Sequence, residues 1–155
     1  MDPNFMRRAI ALSLENVRSN NGGPFGAVVV KNGQIIGEGA NQVLATNDPS
    51  AHAEVVAIRE ACRRMTTFQL TGCEIYASCE PCPMCIGLIY WSRPERVYYA
   101  NTAADAASIG FDDDFIYHEL ARDPQNRSLK MVQMMRDEAL SAFREWDKKP
   151  DKLRY

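Results

Sequence analysis

The chain has 155 residues, enough for one domain and too few for two of ordinary size. A hydrophobic share of 46% beside 25% charged residues excludes a disordered or fibrous chain. Eighteen Lys+Arg against twenty Asp+Glu leave a net charge of −2, without the basic surplus of a protein that holds a polyanion by charge alone.

Asp2-Pro3 is a helix start, an acceptor at the cap followed by proline in the first turn. Phe5, Met6, Ala9, Ile10, Leu14 and Val17 recur at spacings of about three and four, which predicts one apolar helix face ended by Asn21-Gly22-Gly23-Pro24. Residues 25–31 are β-branched and apolar, Asn32-Gly33 is the strongest hairpin dipeptide, and residues 34–39 return as a second strand. Residues 41–50 read as a loop, and 51–65 as a helix with Val55, Ile58 and Cys62 on one stripe. A strand over 73–79, a short buried helix over 83–92 and a strand over 96–100 follow. The remainder reads as a helix over 112–121, a strand over 129–134 and an amphipathic helix over 138–148. No repeat, low-complexity tract or Ser/Gly linker interrupts the pattern, so residues 1–155 are expected to form one domain with a mixed five-stranded sheet covered by helices. No run of about 18 apolar residues occurs, so no membrane span is expected. The N-terminus lacks the basic-then-apolar order of a secretory leader.

Chemistry concentrates at His52-Ala53-Glu54 and at Pro81-Cys82-Pro83-Met84-Cys85. Five cysteines is an odd count, and Cys79, Cys82 and Cys85 crowd into seven residues. That pattern suits a reducing cytoplasm and a metal better than a disulfide framework. One imidazole and two thiolates make three zinc ligands with a fourth position open. With Cys82 as helix N-cap and Pro83 as first helical residue, both sulfurs sit at a helix start, where exposed N–H groups favour thiolate. His52 and Glu54 fall in the first turn of the preceding helix, so two helix starts can face one zinc, with Glu54 spare to move protons. Three other arrangements use the same residues. Cys79 could close a Cys3His structural site, although a strand residue and a helix cap should point differently. Cys79, Cys82 and Cys85 also match an iron–sulfur spacing, but lack its fourth cysteine followed by proline. Last, His52 and the cysteines could be ordinary core residues, which their pairing with Glu54 and the Pro-Cys-Pro-x-Cys run argues against.

His-x-Glu followed by Pro-Cys-x-x-Cys is the signature of the zinc nucleobase deaminases, and the chain resembles that superfamily over most of its length. The matching stretches are Gly22-Gly23-Pro24-Phe25-Gly26-Ala27, residues 47–54 (NDPSAHAE) and residues 78–85 (SCEPCPMC). These are shared among purine and tRNA adenosine deaminases. Residues 89–94 (IYWSRP) and Gly110-Phe111-Asp112-Asp113-Asp114-Phe115-Ile116-Tyr117 match as well, and the Phe111-Asp112-Asp113 segment with the final Lys152-Leu153-Arg154-Tyr155 makes the chain most similar to bacterial guanine deaminases.

The resemblance implies an α/β fold of the cytidine deaminase-like kind, a three-layer α/β/α sandwich with a mixed five-stranded sheet. It implies Zn2+ on His52, Cys82 and Cys85, and hydrolysis of guanine to xanthine and ammonia in purine catabolism. Catalysis would fall to Glu54, as proton carrier, and Asp113, near the leaving group. Asn41 would bond the purine edge, Phe25 would flank the ring, and Trp91 and Tyr155 would complete the substrate site. The free-standing readings of Asn41 as a turn residue, Phe25 and Trp91 as core aromatics and Asp113 as a helix cap stay open. The partners implied are a purine base and a second copy of the chain in a cytoplasmic homodimer, with no membrane and no nucleic acid. The segment from about residue 135 to 155 would be swapped between subunits, setting Tyr155 over the partner's pocket. Deamination of tRNA adenosine, of cytosine or of cytidine are alternative activities, and an inactive deaminase-fold structural subunit is the non-enzyme alternative. A structural zinc would need no carboxylate such as Glu54 beside its ligands.

Overall fold

In the computed structural model, which describes residues 1–154, helix α1 (Pro3–Arg18) begins where its cap predicts. The Asp2 carboxylate accepts the Asn4 backbone N–H at 2.8 Å, and Pro3 opens the first turn. Strands β1 (Gly26–Lys31) and β2 (Gln34–Ala40) form an antiparallel hairpin. Asn32 and Gly33 turn it at φ of 50° and 73°, both left-handed, which matches the twist of the flanking strands. The loop expected after it contains one helical turn, α2 (Val43–Thr46). Then come α3 (Ala53–Met65), β3 (Cys73–Cys79), α4 (Pro83–Ser92) and β4 (Arg96–Asn101). The sheet order is β2-β1-β3-β4, with β3 antiparallel to β1 and parallel to β4. Parallel neighbours need a crossover, and α4 supplies it.

Alternation along β1 assigns its two faces. Ala27 and Val29 pack with Ala53, Ala57, Ile58 and Ala61 of α3 and Ile89 of α4. Val28 and Val30 cluster with Tyr76 against Phe5, Met6 and Leu12 of α1. On β2, Gly37 and Gly39 admit the α3 backbone itself. A Cβ on Gly39 would lie 2.2 Å from the Ala53 carbonyl oxygen, and one on Gly37 2.3 Å from that of Ala57. The absent side chains let the first turn of α3, which follows His52, lie directly on the sheet. Hence β2 sets the height at which Glu54 stands.

The expected fifth strand over residues 129–134 is not there; among the described residues the sheet has four strands. A strand exists through its ladder bonds to a neighbour, and this segment makes none: Leu129, Met131, Val132 and Met134 are exposed without regular structure. The chain entering it is drawn back instead. Glu119 accepts from the Ser128 backbone N–H at 2.7 Å and its hydroxyl at 2.9 Å, and its backbone carbonyl accepts from Arg127. The chain divides into two compact units, Met1–Asp114 and the residues from Phe115 on. The first also contains α5 (Ala103–Ser108). The second holds most of α6 (Asp114–Ala121), a 3-10 turn (Pro124–Asn126) and α7 (Arg136–Lys148). Among the described residues no helix is long and apolar enough to cross a membrane.

Candidate active site

His52 is the N-cap of α3 and Cys82 the N-cap of α4, with Pro83 and Cys85 in the turn that follows. Two helix starts therefore meet, as the spacing predicts. The ligand atoms of His52, Cys82 and Cys85 lie within 4.8 Å of one another, with His52 Nδ1 3.4 Å from Cys82 Sγ and 3.6 Å from Cys85 Sγ. A metal held tetrahedrally at about 2.3 Å from sulfur and about 2.05 Å from nitrogen would set each S···N separation at about 3.6 Å. Both S···N separations stand close to that value, and the donor set is the one zinc prefers.

Charge at the cluster fits a cation. The Cys82 thiol is pushed down to about 4, first by a hydrogen bond from Cys85 and then by His52, against the opposing effect of burial. Cys85 is pushed up because it donates that bond and is buried. His52 is raised, chiefly by its bond to Cys82. A bound metal would replace the shared proton and leave both sulfurs as thiolates. Cys79 stands apart. Its thiol donates to the Thr102 carbonyl oxygen at 3.6 Å, and burial pushes it up to about 11. It is not part of the ligand group, so a closed Cys3His site has no support in the geometry.

Beside the cluster opens a cavity of about 430 Å³, walled by Phe25, Asn41, His52, Glu54, Cys82 and Asp113 among others. Its size suits a small organic ligand. Glu54 is only 8% exposed, and burial pushes its carboxyl up. Asp113 is raised for the same reason, with the Cys82 charge adding to it. Asn41 is buried, and its Oδ1 accepts the Val43 backbone N–H at 3.2 Å. Because an N–H can meet only the oxygen end, the amide is oriented with its NH2 as a donor on the cavity wall. Phe25 and Phe111 meet edge to face, centroids 4.9 Å apart at 89°.

Trp91 is 62% exposed in the single chain and is not among the residues that wall the cavity. The cluster occupies the N-terminal end of α4, and eight residues at about 1.5 Å each put Trp91 about 12 Å further along the axis. Tyr155 lies outside the described residues. Sequence reasoning assigned no role to Phe111 or Glu80 and missed α5, all of which contribute to the wall. The signal for α5 was available in Thr102 and Asp105, which form a reciprocal capping box. Glu80 anchors the same helix, its Oε2 accepting the Ala103 backbone N–H at 3.0 Å.

Residues 1–101 match the family model of the cytidine and deoxycytidylate deaminase zinc-binding region. The chain is similar to guanine deaminase of Bacillus subtilis (strain 168), 50% identical over 151 residues that cover 97% of both chains. The X-ray structure of guanine deaminase from Bacillus subtilis superposes at a TM-score of 0.97 with 49% identity, covering 100% of this chain and 99% of that one. A tRNA-specific adenosine deaminase of Haemophilus influenzae is 34% identical over 125 residues, 77% of this chain and 72% of that protein.

Proposed function

The chain belongs to the cytidine and deoxycytidylate deaminase family, with guanine deaminase as a relative along nearly its whole length, and on that footing we propose that it hydrolyses guanine to xanthine and ammonia. One observation carries the hydrolytic reading: three zinc-type ligand atoms within 4.8 Å of one another stand beside a buried carboxyl on a cavity of base size. Guanine is favoured by the 50% identity over 97% of both chains. Glu80 and Asp112 also line the cavity, acidic groups less suited to tRNA phosphates than to a free base. The cavity thus argues against the tRNA reading.

His52, Cys82 and Cys85 would hold zinc, which when bound lowers the pKa of water to about 7 and makes hydroxide available near neutral pH. Glu54 takes a proton from the attacking water. It returns that proton to a ring nitrogen, then takes the second proton from the new C2 hydroxyl and passes it to the amine, so that the C2–N bond breaks, the 2-amino group leaves as ammonia and the water oxygen stays on C2 as the carbonyl. A carboxyl raised by burial holds a proton longer than an exposed one and is suited to both halves of that transfer. Asp113 assists near the leaving group. Asn41 offers its NH2 to an acceptor on the purine edge, and Phe25, steadied by the edge of Phe111, flanks the ring. Turnover in water enriched in ¹⁸O should give xanthine carrying one ¹⁸O and one ammonia per guanine consumed. Unlabelled xanthine would overturn the mechanism.

The three-layer arrangement belongs to the same reading, supported by α1 on one sheet face and α3 with α4 on the other. So does a cytoplasmic homodimer whose segment from about residue 135 crosses to the partner. What supports the exchange is that Leu129, Val132, Met134, Phe143 and Trp146 are all exposed in the single chain. Removing residues 152–155 should leave one zinc per chain and the dimer intact while sharply lowering guanine turnover. Turnover at the full rate would show that the chain end has no part in the site.

A further inference from the structure

We propose that Asn16, a residue outside the cavity, is the positioning residue that sets Asn41 for base recognition. The proposal rests on the reading of Asn41 as a contact to the purine edge. Asn16 lies on α1 in line with Ala9 and Ser13, the face turned inward, and is 6% exposed. A primary amide at such a depth is unfavourable unless its donors are matched. Here both are: Nδ2 donates to the Gly23 carbonyl oxygen at 2.8 Å and to the Asn41 carbonyl oxygen at 2.9 Å. One side chain thus joins the two neighbouring segments whose Gly23, Phe25, Asn41 and Val43 line the cavity.

The junction is tight on every side. A Cβ on Gly22 would lie 2.4 Å from the Asn41 carbonyl oxygen, so only glycine lets the first segment close over the second. The Asn41 backbone N–H donates to the Phe25 carbonyl at 3.1 Å. With its N–H held by Phe25 and its C=O by Asn16, the Asn41 peptide frame cannot pivot. Its side chain is then pinned by the Val43 N–H, and the NH2 is left for the base. Ser13, one turn before Asn16, bonds the Pro24 carbonyl at 2.9 Å, and of these two α1 side chains Asn16 is the one bonded to Asn41. Removing the Asn16 amide strands the buried Asn41 carbonyl and frees the Asn41 frame.

Purified, zinc-loaded Asn16→Ala, Asn41→Ala and the double variant test this in a double-mutant cycle. Asn41→Ala keeps the backbone carbonyl that Asn16 holds and removes only the recognising amide. Asn16→Ala should raise KM for guanine about tenfold while kcat stays within about threefold and zinc stays at about one per chain. In the Asn41→Ala background the same change should raise KM less than about threefold, because nothing is left to position. Independent, multiplying effects would overturn the proposal, as would a fall in kcat with KM unchanged or a KM equal to wild type. If Asn41→Ala alone leaves KM unchanged, the base-contact reading of Asn41 fails instead, and the positioning role falls with it. Should Asn16→Ala yield no folded protein, Asn16→Ser, which keeps one donor in the same space, carries the identical cycle.

Discussion

Glu54→Gln should lower guanine turnover by about 10²- to 10⁴-fold while zinc stays at about one per chain and the melting temperature does not fall. Glutamine has the same size and can accept or donate a hydrogen bond, but it cannot take up a proton and return it. Folding should tolerate the change because the site already disfavours charge: Glu54 is 8% exposed, and burial raises its carboxyl. A neutral amide therefore carries a smaller desolvation cost there than a carboxylate would. Steady-state rates with metal analysis and a melting curve on the same preparation check this. Activity within tenfold of wild type would mean that the proton moves by another route.

The second large effect separates the cysteines. Cys82→Ser should lose zinc and with it all measurable turnover, whereas Cys79→Ala should keep about one zinc per chain. Removing even an outer-shell partner typically costs 10- to 100-fold in metal affinity, so losing a direct ligand from a set of three should cost more. The Cys79 thiol bonds the Thr102 carbonyl and lies outside the group of ligand atoms within 4.8 Å of one another. Metal content measured after dialysis decides the matter. Loss of zinc from Cys79→Ala would establish a closed four-ligand site, where no open position remains for a hydrolytic water.

Much of the site could be read from local sequence because local rules govern it. Pro83 behind Cys82 places a helix start within one residue and makes Cys82 its cap. Asn32-Gly33 likewise dictates its turn by itself. The failures share a cause in the other direction. Residues 129–134 carry a strand's composition, yet a strand depends on a partner's free edge, which composition does not reveal. Asn16 reads in sequence as one more polar helix residue. Its importance lies in two carbonyls, 7 and 25 positions away, that only the folded chain brings to it.

Ammonia release from guanine, adenine, cytosine and cytidine, each supplied to the zinc-loaded protein in parallel, tests the proposed activity most directly. Guanine should be consumed with xanthine and ammonia in equal amounts, and the other three should be turned over at least about 10²-fold more slowly in kcat/KM, because a site built to bond one base's polar edge is left with unpaired groups by another. Preferential deamination of adenine, cytosine or cytidine, or no ammonia from any of the four, would contradict it.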